Sequence, residues 1–185
     1  MRSDVLILLS DGLVILCLTR FLLQWVQLDA RHPLLHFCAH ATEWLVKPLR
    51  KIIPSTPRRD WACILAGGML YYLVYTFIAL VMLPSGFGGK IIMANLLFAA
   101  LGLLKSAAYV LLIGLVLRMM VSFSNPYSPL AATLQRVFEP ILRPFAFLRI
   151  NRYDFSGSVL ALALWLWLSR FLPQLTAQIN IWLLH

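Results

Sequence analysis

Three charged side chains fall inside stretches of sequence otherwise suited to a lipid interior. Asp11, Lys105 and Arg170 each sit among long runs of Leu, Ile, Val, Ala and Phe. An ionisable group in such surroundings pairs with another group, reaches for the surface, or lines a route for ions or protons. Asp11 and Lys105 are opposite in sign and can form a buried pair; an ion or proton pathway is the competing chemistry. A second set of candidates is the run His32, His36 and His40 beside Cys38. Imidazoles one helical turn apart can share a metal ion. Pro33 breaks the helical start at His32, which leaves His36 and His40 as candidate ligands, and nothing supplies a third at diagnostic spacing. No bound metal or cofactor is therefore expected.

Other chemistries find less to work with. Cys17, Cys38 and Cys63 have no paired spacing, so they form neither a disulfide framework nor a C-x-x-C motif and are expected to be small buried hydrophobes. The run from Pro84 to Lys90 ends in Gly-Lys. A phosphate loop, however, needs a glycine five residues earlier and Ser or Thr after the lysine, where this chain has Pro84 and Ile91. Glu43 and Glu139 are the groups an acid/base reading would use. With no Ser/His/Asp set, metal spacing or nucleotide loop, the sequence reads as that of a protein that is not an enzyme.

The elements that carry these residues belong in a bilayer. The 185 residues are 61% hydrophobic and 12% charged, far from the soluble average of about half apolar and a quarter charged. The formal charge of +9 punctuates apolar runs and does not form one basic face, so it points to anionic lipid headgroups and not to nucleic acid. Four stretches suffice to cross about 30 Å of hydrocarbon: approximately Val5–Gln27, Trp61–Leu83, Ile91–Leu117 and Gly157–Leu184. Asp11 interrupts the first and no small-x-small cleavage site follows, so it is expected to be a retained helix. Pro84 to Lys90 has the glycines and proline of a tight turn.

Between Pro33 and Ile53, His36, His40, Glu43, Lys47 and Arg50 recur at helical steps opposite Leu35, Phe37, Trp44, Leu45, Leu49 and Ile52. Between Pro126 and Arg149, Ser128, Gln135, Glu139 and Arg143 face Leu134, Val137, Phe138, Ile141 and Leu142 in the same way. Both segments are too short and too charged to span, so each is expected to lie in the interface or dock on the bundle. Asn125 before Pro126 is expected to cap the second of these helices, and Pro140 and Pro144 to kink or end it. Glu43/Lys47 and Glu139/Arg143 are Glu-first pairs at four-residue spacing.

The two halves of the chain match in order. Arg20 corresponds to Arg118, His32-Pro33 to Asn125-Pro126, Glu43-x-x-x-Lys47-Pro48 to Glu139-x-x-x-Arg143-Pro144, and Asp60 to Asp154. Preserved order with a drifting offset is what duplication followed by small indels leaves. The sequence thus predicts an all-α membrane protein of four transmembrane helices in two parallel repeats, 1–83 and 91–185, each a span, an amphipathic helix and a second span. The chain resembles the YggT (YlmG-like) family of small bacterial and plastid membrane proteins. Arg118, Ser122, Asn125-Pro126-Tyr127-Ser128, Glu139-Pro140-Ile141-Leu142-Arg143-Pro144 and Asp154-Phe155-Ser156 carry the resemblance. The first half departs from the pattern at His32, Leu35, Trp44 and Ala62. The resemblance implies links to osmotic-shock tolerance and potassium homeostasis, to nucleoid or division-related organisation and, in plastids, to haem attachment on a cytochrome b subunit.

Two spans per unit return the chain to its starting side, so the repeat axis runs along the membrane normal. Residues 28–60 hold six Lys/Arg and residues 124–156 hold four, which by the positive-inside rule places both on the cytoplasmic side of a bacterial inner membrane, with outward termini. Arg20 and Arg118 then lie near the cytoplasmic ends of their spans, able to snorkel or to meet Asp60 and Asp154. Measured from those arginines, Asp11 lies roughly 14 Å and Lys105 roughly 20 Å into the membrane. The expected function is that of a scaffold or assembly factor binding lipid headgroups and other membrane proteins or itself; ion transport by an oligomer is the alternative.

Overall fold

A computed structural model describes residues 2–25, 33–51, 60–82, 89–124, 128–143, 149–150, 153–154 and 156–184. It is almost entirely helical. Four helical stretches, Asp4–Trp25, Trp61–Val81, Gly89–Ser122 and Ser156–Trp182, are long and apolar enough to cross a membrane. We label the elements α1 (Arg2–Trp25), α2 (Pro33–Arg50), α3 (Trp61–Met82), α4 (Gly89–Ser124), α5 (Pro129–Leu142), β1 (Arg149–Ile150), β2 (Tyr153–Asp154), α6 (Ser156–Leu166) and α7 (Leu172–Leu184). A π turn, Trp167–Phe171, joins α6 to α7.

Helices α1, α3 and α4 pack on one another and form the centre of the molecule. Val14, Leu18, Tyr71, Ala99 and Val110 fill the space between them. Without an aqueous driving force between membrane helices, close approach depends on small residues. Gly102 shows this: a Cβ there would stand 3.1 Å from the Tyr71 ring, so its absence lets the ring lie flat against α4.

The 36 residues of α4 span about 54 Å, well beyond a hydrocarbon core of about 30 Å, and α5 folds back against it. Phe138 of α5 seats over Gly114, where any Cβ would overlap the ring. Leu23, Leu35, Leu115, Val137, Phe138 and Leu142 form the cluster beneath the two amphipathic helices. On the other side α2 packs against α1 and α3, with Val46 beside Cys17, Ala62, Cys63 and Ala66. All three cysteines are buried free thiols.

Several boundaries differ from expectation. The second amphipathic helix begins at Pro129, with Ser128 as its cap accepting from the Ala131 N–H at 3.1 Å, and not at Pro126 behind Asn125. Asn125-Pro126-Tyr127-Ser128-Pro129 contains two cap-and-proline pairs in tandem, and the downstream pair starts the helix. Pro140 does not end its helix, since α5 continues to Leu142; Pro48 likewise lies inside α2, which continues to Arg50. Residues 149–150 and 153–154 form a short antiparallel hairpin, with Arg149 opposite Asp154, where an amphipathic helix was expected to run to Arg149. His32, Asn125, Pro126, Pro144 and most of the turn 84–90 lie outside the described residues.

Candidate functional site

The polar centre of the bundle joins three helices through four side chains. Lys105 Nζ of α4 donates to Asp11 Oδ2 of α1 at 2.6 Å. Tyr71 of α3 donates its hydroxyl to Asp11 Oδ1 at 2.5 Å, the short separation of a bond to a charged acceptor. The Tyr71 oxygen also lies 2.5 Å from Ser106 Oγ. Because the single Tyr71 proton is given to Asp11, Ser106 must be the donor in that second bond. The Lys105 ammonium also lies 6.0 Å from the centre of the Tyr109 ring, within reach of its electron-rich face.

Every member of this set has its partner. Both carboxylate oxygens accept, and the opposite charges neutralise one another where an isolated ion would be strongly disfavoured. The Lys105 side chain is 28% exposed and that of Asp11 18%. The cavities on either side, one lined by Leu6, Leu73, Val74, Thr76, Phe77 and Leu80 and another between Gly68 and Leu103, are apolar.

Sequence reasoning paired the two charges but missed Tyr71 and Ser106. Each is a lone hydroxyl in an apolar run, and only the rotation of α3 and α4 shows that it points inward. Ser106 had one available signal, its place beside Lys105.

A second polar cluster lies where α2 meets α1 and α3. Arg20 is only 5% exposed, and its guanidinium donates to the Thr42 hydroxyl at 3.1 Å and to the Ala39 carbonyl at 3.3 Å. Thr42 in turn donates to the Cys38 carbonyl at 2.7 Å. Asp60, 3% exposed at the start of α3, forms its ion pair with Arg50 at the end of α2. The expectation that Arg20 would snorkel or meet Asp60 is thus corrected: Arg20 ties α1 to α2, while Arg50 ties α2 to α3. Among the described residues, Arg20 Nε, Gln24 Oε1, Arg50 Nε and Asp60 Oδ1 are buried with no hydrogen-bond partner. Burial pushes the Cys38 thiol above its usual value, with the Arg20 guanidinium pulling the other way.

The remaining predicted residues lie on surfaces. His36, His40, Glu43 and Lys47 are exposed along α2, as are Arg136, Glu139, Pro140 and Arg143 on α5. No ion pair joins Glu43 to Lys47 or Glu139 to Arg143 among the described residues, so the arms hold open charges where paired ones were expected. Phe37 and Trp44 stand exposed on α2 beside those charges. No group of three His, Cys, Asp or Glu side chains among the described residues could hold a metal ion, so His36 and His40 gain no third ligand. Arg118 is half-buried on α4, and Arg170 is exposed on the π turn.

Comparison with known proteins supplies the relationship that this architecture lacks on its own. The CCB3/YggT family matches residues 3–82. An uncharacterised protein of Pseudomonas aeruginosa is 32% identical over 135 residues, covering 71% of this chain and 67% of the relative. The chain belongs to the YggT family. An uncharacterised protein of Vibrio alginolyticus is 31% identical over 138 residues, 74% of this chain and 73% of its own. The uncharacterised YggT protein of Escherichia coli K12 is 29% identical over 153 residues, 80% of this chain and 77% of its own. No solved structure matches. The family match falls on the half that carries Asp11, Arg20, Thr42, Arg50, Asp60 and Tyr71.

Proposed function

We propose that this YggT-family protein is a non-enzymatic scaffold or organising factor of the bacterial inner membrane, built from two parallel copies of one unit. In this reading α2 and α5 lie on the cytoplasmic face and the termini face outward. The exposed His36, His40, Glu43, Trp44 and Lys47 of α2 and Arg136, Glu139 and Arg143 of α5 form the docking surface for anionic headgroups and partner proteins. The observation that carries the reading is the closed set Asp11–Lys105–Tyr71–Ser106, whose charges are spent on one another. A transporter keeps such groups available to cargo; a scaffold uses them to fix helix register.

Affinity purification of the full chain from native membranes tests this. A stoichiometric partner that is lost when Trp44→Ala and Lys47→Ala are combined supports docking through α2. Recovery of the chain with lipid alone argues against it.

Ion or proton flux by an oligomer is the second reading, favoured by the 28% of the Lys105 side chain that remains exposed. Proteoliposomes separate the two. Potassium or proton flux above empty vesicles would replace the scaffold reading with transport. A link to osmotic-stress tolerance fits either role; loss of shock survival on deletion, restored by the parent chain but not by the chain carrying Trp44→Ala with Lys47→Ala, would assign that link to scaffolding.

A further inference from the structure

The fourth span, α6 through α7, is the least covered of the four: 6% of its most apolar window is buried, and its described contacts run to α4. The face it turns to α4 is marked by Leu172, which is buried, with Thr176 and Ile179 half-buried. The opposite face carries Arg170, Gln174 and Gln178, one helical turn apart and all exposed. None of the three has a hydrogen bond or ion pair among the described residues.

Arg170 and Gln174 lie deep, and Gln178 lies nearer the boundary. Arg170 lies about 21 Å of helix from Ser156 and about 18 Å from Trp182, an exposed aromatic of the kind that marks a membrane boundary. Gln174 and Gln178 lie between Arg170 and that boundary. Amide and guanidinium groups at such depth have no water to bond and are stabilised by a neighbouring helix. The backbone adds to the demand. Pro173 brings no N–H to the turn before it, and the chain opens into a π turn in which the Leu172 N–H reaches back to the Trp167 carbonyl. Such turns recur where a helix does functional work.

The geometry points to a second copy of this chain as the partner of this face, in a twofold dimer with α7 against α7. Self-complementarity argues for a copy in preference to a different protein. Each glutamine amide is both donor and acceptor, so Gln174 and Gln178 can bond their own equivalents across a twofold axis. Arg170 is donor only and repels its own equivalent, so the seam is centred on Gln174 and Gln178, whose neutral oxygens are the acceptors for the opposing guanidinium. The stripe bears no carboxylate, as a seam built for a basic partner would. Phe171, Leu175 and Trp182 flank it and are exposed, providing apolar rims. The dimer stands on this face alone and does not depend on what docks on α2 or α5.

The test reconstitutes the full chain in lipid nanodiscs and vesicles and counts subunits by single-molecule photobleaching across a dilution series. A monomer–dimer equilibrium is expected, weakened about tenfold (about 1.4 kcal/mol) by Gln174→Leu with Gln178→Leu. Gln174→Cys should crosslink to its equivalent under mild oxidation in native membranes, and Leu162→Cys on α6 should do so less. Thermal unfolding of the double variant as a monomer should match the parent, because among the described residues this face is exposed and makes no hydrogen bond or ion pair. Monomers at every density, a dimer insensitive to the double variant, or capture of Gln174→Cys by a different protein would each overturn the proposal.

Discussion

Lys105 and Arg170 are both cations within long apolar helices, yet the fold treats them differently. Lys105 meets Asp11 at 2.6 Å in a set completed by Tyr71 and Ser106. Arg170 is exposed on a span that packs chiefly on α4. The first arrangement is internal and closed, and it ties α1, α3 and α4 into a unit. The second leaves donors facing outward from a single chain. A charge within an apolar helix therefore stands in two settings here: Lys105 fixes the position of neighbouring helices, and Arg170 faces outward, where the proposed dimer would use it. The first is a property of the fold, the second of the assembly.

Breaking the closed side should have the largest effect. Asp11→Ala leaves the Lys105 ammonium and the Tyr71 hydroxyl without their acceptor, and removal of one partner of a buried pair destabilises by about 3–5 kcal/mol. Thermal unfolding in mild detergent should show this as a large drop in Tm. Next comes Asp60→Asn, which weakens the tie between α2 and α3. Arg50 is 37% exposed and can be rehydrated, so the loss should be nearer 1–3 kcal/mol, with increased protease access to α2. Ser128→Ala removes the side-chain acceptor that starts α5 and should lower stability by about 1 kcal/mol. Arg170→Leu should change monomer unfolding least, by under about 0.5 kcal/mol, because among the described residues the exposed Arg170 has no hydrogen bond or ion pair to lose. A drop comparable to that of Asp11→Ala would erase the contrast.

The spans were legible because apolar runs of bilayer length leave few alternatives, and the four helices fall close to where hydropathy places them. Opposite sign and similar depth in the sequence brought Asp11 and Lys105 into consideration together. Tyr71 and Ser106 were not legible, since a hydroxyl in a helix can point to lipid or to a neighbour, and only helix rotation decides. The pairing of Asp60 with Arg50 was obscured for a related reason. Conserved order between the halves suggested Arg20 as its partner, whereas the fold brings the end of α2 back to the start of α3 and sends Arg20 to Thr42. The start of α5 was ambiguous within five residues that contain two equivalent cap-and-proline pairs, and local propensity could not rank them. Pro48 and Pro140 remain inside helices packed against the bundle, where tertiary contacts offset the lost hydrogen bond.

The central claim is that the charges inside the membrane serve as a clamp between helices. A double-mutant cycle on Asp11→Asn and Lys105→Met, read by thermal unfolding of the purified protein, tests it most directly. The clamp predicts that each single change is strongly destabilising and that the double variant recovers part of the loss, with a coupling of about 1–3 kcal/mol. Additive losses with no coupling would contradict the account.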